Sequence, residues 1–415
     1  MNKIYLDHSA TTPIDPKVLK TMLPYFKEKF GNPSSIHDFG REAIKAIDHS
    51  REEIAKFLNT SPEEIIFTSG ATESNNLAIL GFLKYWKNLK IKPYKKAHFI
   101  TSIIEHDSVR EPFSEIEKEK DCEITYLPVQ KNGVIDLKNF ENSIKDNTVF
   151  ISIMYVNSEV GAKQPIREIG KIIKKRNKVK ENEWKKTRVK NRGPKPHKIF
   201  FHTDATQAVN FFNCNTKFLH TDMLSLSGHK FYGPKGVGAL FVKKNTPIKS
   251  IQLGGHHEMN LRSGTLNTPG IIGIGKAINL VSKEKEKNFE KTYKLRNYFI
   301  DNVKKNFENI ILNTDINHAA PSHAHISFPG AEGESILVAL DLENIAVSTG
   351  SACASANLKA SHVLVAMGIR IEIAHTSIRF TFGKNNTKKE IDNAIKKLTN
   401  IIKRIRKINP LYNKK

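Results

Sequence analysis

Between about residue 60 and residue 242, short β-branched runs alternate with stretches of helical periodicity, and this alternation leaves few folds open. Ile65–Thr68 precedes a helical pattern over Glu73–Trp86, and Ala97–Thr101 precedes one over Asp107–Lys118. Glu123–Leu127, Val149–Ile153, a helix over Ile166–Lys175 and Ile199–His202 follow, and Asp222–Leu226 and Gly238–Val242 complete seven strands. Strands separated by helices need right-handed crossovers, which give a mostly parallel sheet covered on both faces. The expected fold class is α/β with a mostly parallel seven-stranded sheet.

After about residue 264 the pattern changes to a long polar helix over Ile271–Phe307, short strands at Ile310–Leu312 and Ala324–Phe328, and a terminal helix. In that last helix Ile391, Ala394, Ile395, Leu398, Ile401, Ile402, Ile405 and Ile408 recur at helical spacing, so it is expected to dock one face and leave a basic one outside. The expected organisation is a large α/β domain of residues 15–260 beside a smaller α+β domain of residues 1–14 and 261–415. The stretch 176–198 lies where two to six residues normally suffice, and reads as a surface insertion.

The net charge of +24 is concentrated in two places. Residues 176–198 hold ten basic and two acidic side chains, and residues 384–415 hold eleven and two. Such clustering suits a polyanion such as tRNA or an acidic partner. With no aromatic interleaved except Trp184, a solvated surface is the favoured reading. No apolar run approaches the roughly 18 residues of a membrane helix, and the first residues lack the order of a secretory signal. A cytoplasmic chain without a membrane span is expected. Cys122, Cys214 and Cys353 are too few and too scattered for a disulfide framework or zinc site.

Ligands of parallel sheets bind beyond the carboxyl ends of strands, and there the sequence holds a coherent set. Ser69-Gly-Ala71-Thr72-Glu73 is a glycine turn opening a helix, a ready phosphate cradle. Glu105-His106, Asn157 and Asp204-Ala-Thr-Gln207 follow later strands; singly, each is as readily structural as functional, Asp204 and Asn157 as loop caps and His106 as a core histidine. Ser227-Gly-His229-Lys230 decides between these readings. A lysine just after a strand, with an acid ending the neighbouring one, suits pyridoxal phosphate, held as a Schiff base with a carboxylate on the pyridinium nitrogen. Cys353 sits in a run of small residues, Ser348 to Ser355, able to deliver a thiol. Cys122 and Cys214 read as inert.

The chain resembles the cysteine desulfurases that supply sulfur for iron-sulfur clusters and tRNA thiolation. The resemblance rests on Tyr5–Pro13, Gly31-Asn-Pro33, Thr68–Ser74, Glu105-His106, Val156–Gly161, Asp204–Gln207, Ser227–Lys230, Arg262–Thr265, Ser351–Cys353 and Ser377–Phe380. It implies a fold type I enzyme that forms a homodimer. It further implies that Lys230 carries the cofactor, Asp204 pairs with the ring nitrogen, His106 stacks on the ring and Gln207 bonds its phenolic oxygen. Ala71, Thr72, Ser227 and His229 would hold the phosphate, with Thr265 reaching it from the other subunit. Asn157 and Arg379, helped by Asn32, would grip the carboxylate of L-cysteine, and Cys353 would accept the sulfur.

The implied products are alanine and a Cys353 persulfide, passed to an iron-sulfur scaffold or another sulfur acceptor. The alternative is a selenocysteine lyase or small aminotransferase on the same cofactor. The family pattern is broken at His256, where a third glycine is usual, and at Arg370 and Ile371. His256-His257 and His323-Ala-His325 lack a matched acid or thiol, so no catalytic metal is expected. The only metal contact expected is a transient one between Cys353 and an iron-sulfur cluster.

Overall fold

The computed structural model describes residues 3–186, 196–349 and 360–409. Its strands are β1 (Ile4–Tyr5), β2 (Ile65–Thr68), β3 (Ala97–Ser102), β4 (Cys122–Leu127), β5 (Thr148–Ser152), β6 (Phe200–Asp204), β7 (Met223–Ser227), β8 (Gly238–Val242), β9 (Ile311–Leu312), β10 (His323–Ser327), β11 (Ile345–Ala346) and β12 (Ser377–Thr381). Seven form the central sheet in the order β2-β8-β7-β6-β5-β3-β4. Within it β8 alone runs against its neighbours, and the seven expected strands are all present. The reversal follows from the connection: the turn between Ser227 and Gly238 is too short for the helical crossover that a parallel return requires.

Alternate residues of the sheet face two apolar layers. Ile65, Phe67, Ile151, Phe201 and Leu224 enter one core, and Ile66, Phe99, Phe150, Met223 and Leu240 enter the other. That is the period of two expected of pleated strands, here apolar on both sides. A separate core joins the antiparallel β9, β10 and β12 to the helix Lys388–Ile408 through Ile326, Ile378, Phe380, Leu398 and Ile402. The 39-residue helix Thr268–Asn306 links these bodies. Its first turns give Ile271, Ile274 and Ile278 to the sheet core, and its last give Leu295, Phe299 and Val303 to the smaller one.

Two expectations need adjustment. The helix beginning at Ile166 runs to Lys186, so residues 176–186 extend a helix instead of leaving the fold as a loop. The reason is local: this stretch is mostly lysine, glutamate and asparagine, with Glu181 and Lys185 paired at 2.7 Å one turn apart. In the last helix the apolar stripe is buried as far as Ile402, but Ile408 is 74% exposed because the core ends before it. Among the described residues no helix is long and apolar enough to cross a membrane.

Candidate active site

After β2, Gly70 adopts φ +155° and starts the helix Ala71–Lys87 with no side chain capping it. The first N–H groups of that helix therefore remain available to an anion. A side chain at Gly238 would come within 2.7 Å of the Gly70 Cα, so the two glycines let β8 pass close beneath this turn. Ser227, at the end of β7, places its Oγ 3.6 Å from the position of a Gly70 Cβ. Ala71 is half-buried and Thr72 exposed.

After β3, His106 is exposed and caps the helix Asp107–Glu117, its Nδ1 accepting the Ser108 N–H at 3.1 Å. The Asn75 side-chain amide donates to Ser108 Oγ at 2.9 Å and to Asp204 Oδ2 at 2.8 Å, tying the histidine turn to the end of β6. Asp204 is buried, and its Oδ1 accepts the Thr206 N–H at 2.9 Å. Sequence reasoning missed Asn75. Its signal was a polar residue on the buried face of the helix that opens at the glycine turn.

The N-terminal segment straps the other residues together. Lys230 Nζ donates to the carbonyls of Ser9 and Ala10 at 2.6 and 2.7 Å, and Gln207 Nε2 donates to Ser9 O at 2.9 Å. His229 Nδ1 lies 3.1 Å from Thr11 Oγ1. Burial, then the charges of Lys230 and Lys235, pushes His229 down to about 4, so its imidazole is neutral. Asp7 accepts from Arg379 Nη2 at 2.8 Å, and Arg379 Nη1 reaches Ser158 O at 3.0 Å. Arg379 is 5% exposed, and its Nε has no partner among the described residues. A motif noted only as part of a resemblance thus contacts four of the expected site residues, largely through main-chain oxygens.

Asn157 is buried behind Arg379, with Oδ1 accepting the N–H groups of Glu159 and Val160 and Nδ2 donating to Ile104 O at 3.1 Å. Its oxygen is committed to its own turn, and its amide also donates to Met154 Sδ at 3.6 Å. Asn32 is exposed and closes a turn onto the Ser34 N–H at 2.9 Å. Thr265 is also exposed. Neither joins the strapped group within one chain. Cys353 lies outside the described residues, but both flanks of its loop reach the site. Ser348 pairs with the Arg379 main chain, Ser361 Oγ donates to Glu159 Oε2 at 2.5 Å, and His362 Nε2 lies 3.1 Å from Glu105 O. Burial pushes Cys122 and Cys214 up to about 12, so neither is a thiolate near neutrality. His323 and His325 are buried strand residues on β10. Among the described residues no group of three or more potential ligands could hold a metal.

Beneath His106, Glu105 is fully buried; Oε1 accepts the Met154 N–H at 2.8 Å and Oε2 has no partner among the described residues. Burial raises its carboxyl well above the usual range, and the nearby Asp204 adds to the rise. A raised carboxyl contributes stability that is fully present below its unfolded pKa and is lost as pH rises through the folded one. Glu105→Gln, which mimics the neutral acid, is expected to melt with wild type at about pH 4, below the unfolded carboxyl's pKa, and above it at about pH 8. Thermal unfolding at the two pH values checks this; equal melting temperatures at the higher pH would contradict it.

The chain belongs to the class-V aminotransferase family, whose model matches residues 4–180 and 187–394. Within that family it falls with the cysteine desulfurases of IscS and NifS type, as the motifs suggested. It is 46% identical over 408 residues to Cysteine desulfurase IscS of Dictyoglomus turgidum, covering 98% of this chain and 96% of that one. It is 42% identical over 412 residues to the IscS of Rickettsia massiliae, covering 99% and 93%. A solved NifS-like protein superposes with a TM-score of 0.86 at 33% identity, covering 97% of this chain and 100% of that one. SspA in complex with cysteine gives 0.76 at 32%, covering 93% and 100%.

Proposed function

We propose that the protein is an L-cysteine desulfurase that uses pyridoxal phosphate and carries the sulfur away as a persulfide on Cys353. The observation that carries this reading is the strap of residues 7–12, which gathers Lys230, Gln207, His229 and Arg379 while both flanks of the Cys353 loop tie back to the same place. The residues present fit the cofactor. An uncapped helix start at Gly70 beside Ser227 and His229 suits a phosphate, an exposed His106 ring suits stacking, and a buried, hydrogen-bonded Asp204 carboxylate suits a protonated ring nitrogen.

When bound, pyridoxal phosphate supplies an electron sink for charge developing at the substrate α-carbon. Lys230 would hold the cofactor, and its free amine would take the substrate α-proton as a general base. Asp204 keeps the ring nitrogen protonated, and Asn75 and Thr206 hold that carboxylate in line. Arg379 receives the substrate carboxylate, which competes with Asp7 for Nη2. Cys353 as a thiolate attacks the substrate sulfur. The S–S bond forms as the C–S bond breaks; the electron pair stays with the departing carbon, which takes up a proton on the way to alanine. The protein acts as a homodimer in which Thr265 completes the partner's phosphate site, and the persulfide passes to an iron-sulfur scaffold or other acceptor.

The reading is tested by incubating cofactor-loaded protein anaerobically with L-cysteine and a thiol reductant. Alanine and sulfide in equal amounts are expected; a 2-oxo acid without sulfide would instead mark an aminotransferase. Arg379→Lys replaces a planar fork with a point charge. Losing one charge-assisted hydrogen bond of about 1.5–3 kcal/mol should raise KM for cysteine by about ten- to a hundredfold. The kcat should fall much less, and an unchanged KM would place the carboxylate elsewhere.

A further inference from the structure

The carboxyl ends of the sheet strands carry the site described above, and their amino ends carry a separate pocket of about 350 Å³. It lies between the helix Ile166–Lys186, the starts of β6 and β7, and the end of β8. Lys174, Lys198, Lys217, His220 and Lys243 all line it. Its two acids are already committed. Asp222 lies 2.8 Å from Lys198 Nζ and 3.8 Å from Lys243 Nζ and accepts the Phe201 N–H. Glu64 accepts from the Lys244 and Ser61 N–H groups and from Thr60.

Among the described residues Lys174 and Lys217 make no ion pair. Burial, then the charges of Lys174, Arg167, Lys171 and Lys243, lowers the pKa of His220. Thr221, which also lines the pocket, is 2% exposed, and its hydroxyl has no partner among the described residues. Converging lysines with an unspent hydroxyl are the chemistry of a phosphate site, where ammonium groups act as point charges. The volume is that of a small-ligand pocket.

We propose that this pocket binds a phosphate group, supplied by an RNA backbone or by a free phosphate ester. The test uses cofactor-loaded protein, so that the cofactor's own phosphate site is filled. Two probes are titrated: a short fluorescein-labelled single-stranded RNA followed by anisotropy, and pyrophosphate followed by calorimetry. The combined variant Lys174→Gln, Lys217→Gln, Lys243→Gln is compared with a control, Lys396→Gln, Lys403→Gln, Arg404→Gln, that removes equal charge from the last helix. The expected result is binding at least about tenfold weaker in the pocket variant only, with the RNA salt slope reduced by about two. Sulfide release should stay unchanged in both.

RNA binding that pyrophosphate displaces identifies the backbone as the source; pyrophosphate binding without RNA binding identifies a free ester. Binding of neither probe by wild type, or equal losses in both variants, overturns the proposal. Should the combined variant misfold, Lys217→Glu, at an exposed position, must reproduce the loss.

Discussion

Lys230→Ala is expected to lose turnover of cysteine by about a thousandfold or more, together with the visible absorbance of the lysine-linked cofactor. A positioned general base alone contributes about 10²–10⁴ in rate, and the covalent link adds to that. In the structure Lys230 Nζ is directed by two main-chain carbonyls, Ser9 and Ala10, whose geometry does not depend on any side chain. The cofactor should still bind, because the Gly70 turn, Asp204 and His106 remain. Absorbance and steady-state rates on the purified variant check both parts. Turnover within tenfold of wild type would remove Lys230 from the chemistry.

The largest effect on stability is expected far from Lys230. Glu258 receives a bidentate pair from Arg51 at 2.6 and 2.9 Å and the Phe67 N–H at 2.6 Å, with Arg51 and Glu258 both buried. Glu258, Met259 and Asn260 all have left-handed φ between 47° and 62°, a costly run for residues with side chains. The ion pair thus pins a strained turn onto β2, just before the segment that carries Thr265. Glu258→Gln leaves the Arg51 charge buried without a counter-charge and is expected to cost about 3–5 kcal/mol. Adding Arg51→Met should recover part of that loss, because the orphaned charge is gone. Denaturant midpoints of the single and double variants measure both. A single variant as stable as wild type would show that the pair is not what holds the turn.

Much of this was legible in the sequence for a simple reason. The seven strands are apolar on both faces, so each stands out as a short β-branched run, and Asp204 ends one of them while His106 and Lys230 follow within about a turn. Asn75 and Asp7 were not legible, because their partners lie 129 and 372 residues away. The strap over Lys230 acts through carbonyls, which leave no mark on residue type. The Arg51–Glu258 pair spans 207 residues and hides behind a glycine-rich turn whose departure at His256 drew attention elsewhere. The extension of the Ile166 helix was concealed by charge: a lysine-rich stretch reads as a loop until its pairs one turn apart are counted.

The most direct test of the account is a single turnover of cofactor-loaded protein with L-cysteine and no reductant, followed by mass spectrometry of the alkylated peptides. The account predicts one added sulfur atom on the peptide containing Cys353, one alanine released per persulfide, and neither product from Cys353→Ala. Alanine formed normally by Cys353→Ala, or the added sulfur found on Cys122 or Cys214, would contradict it.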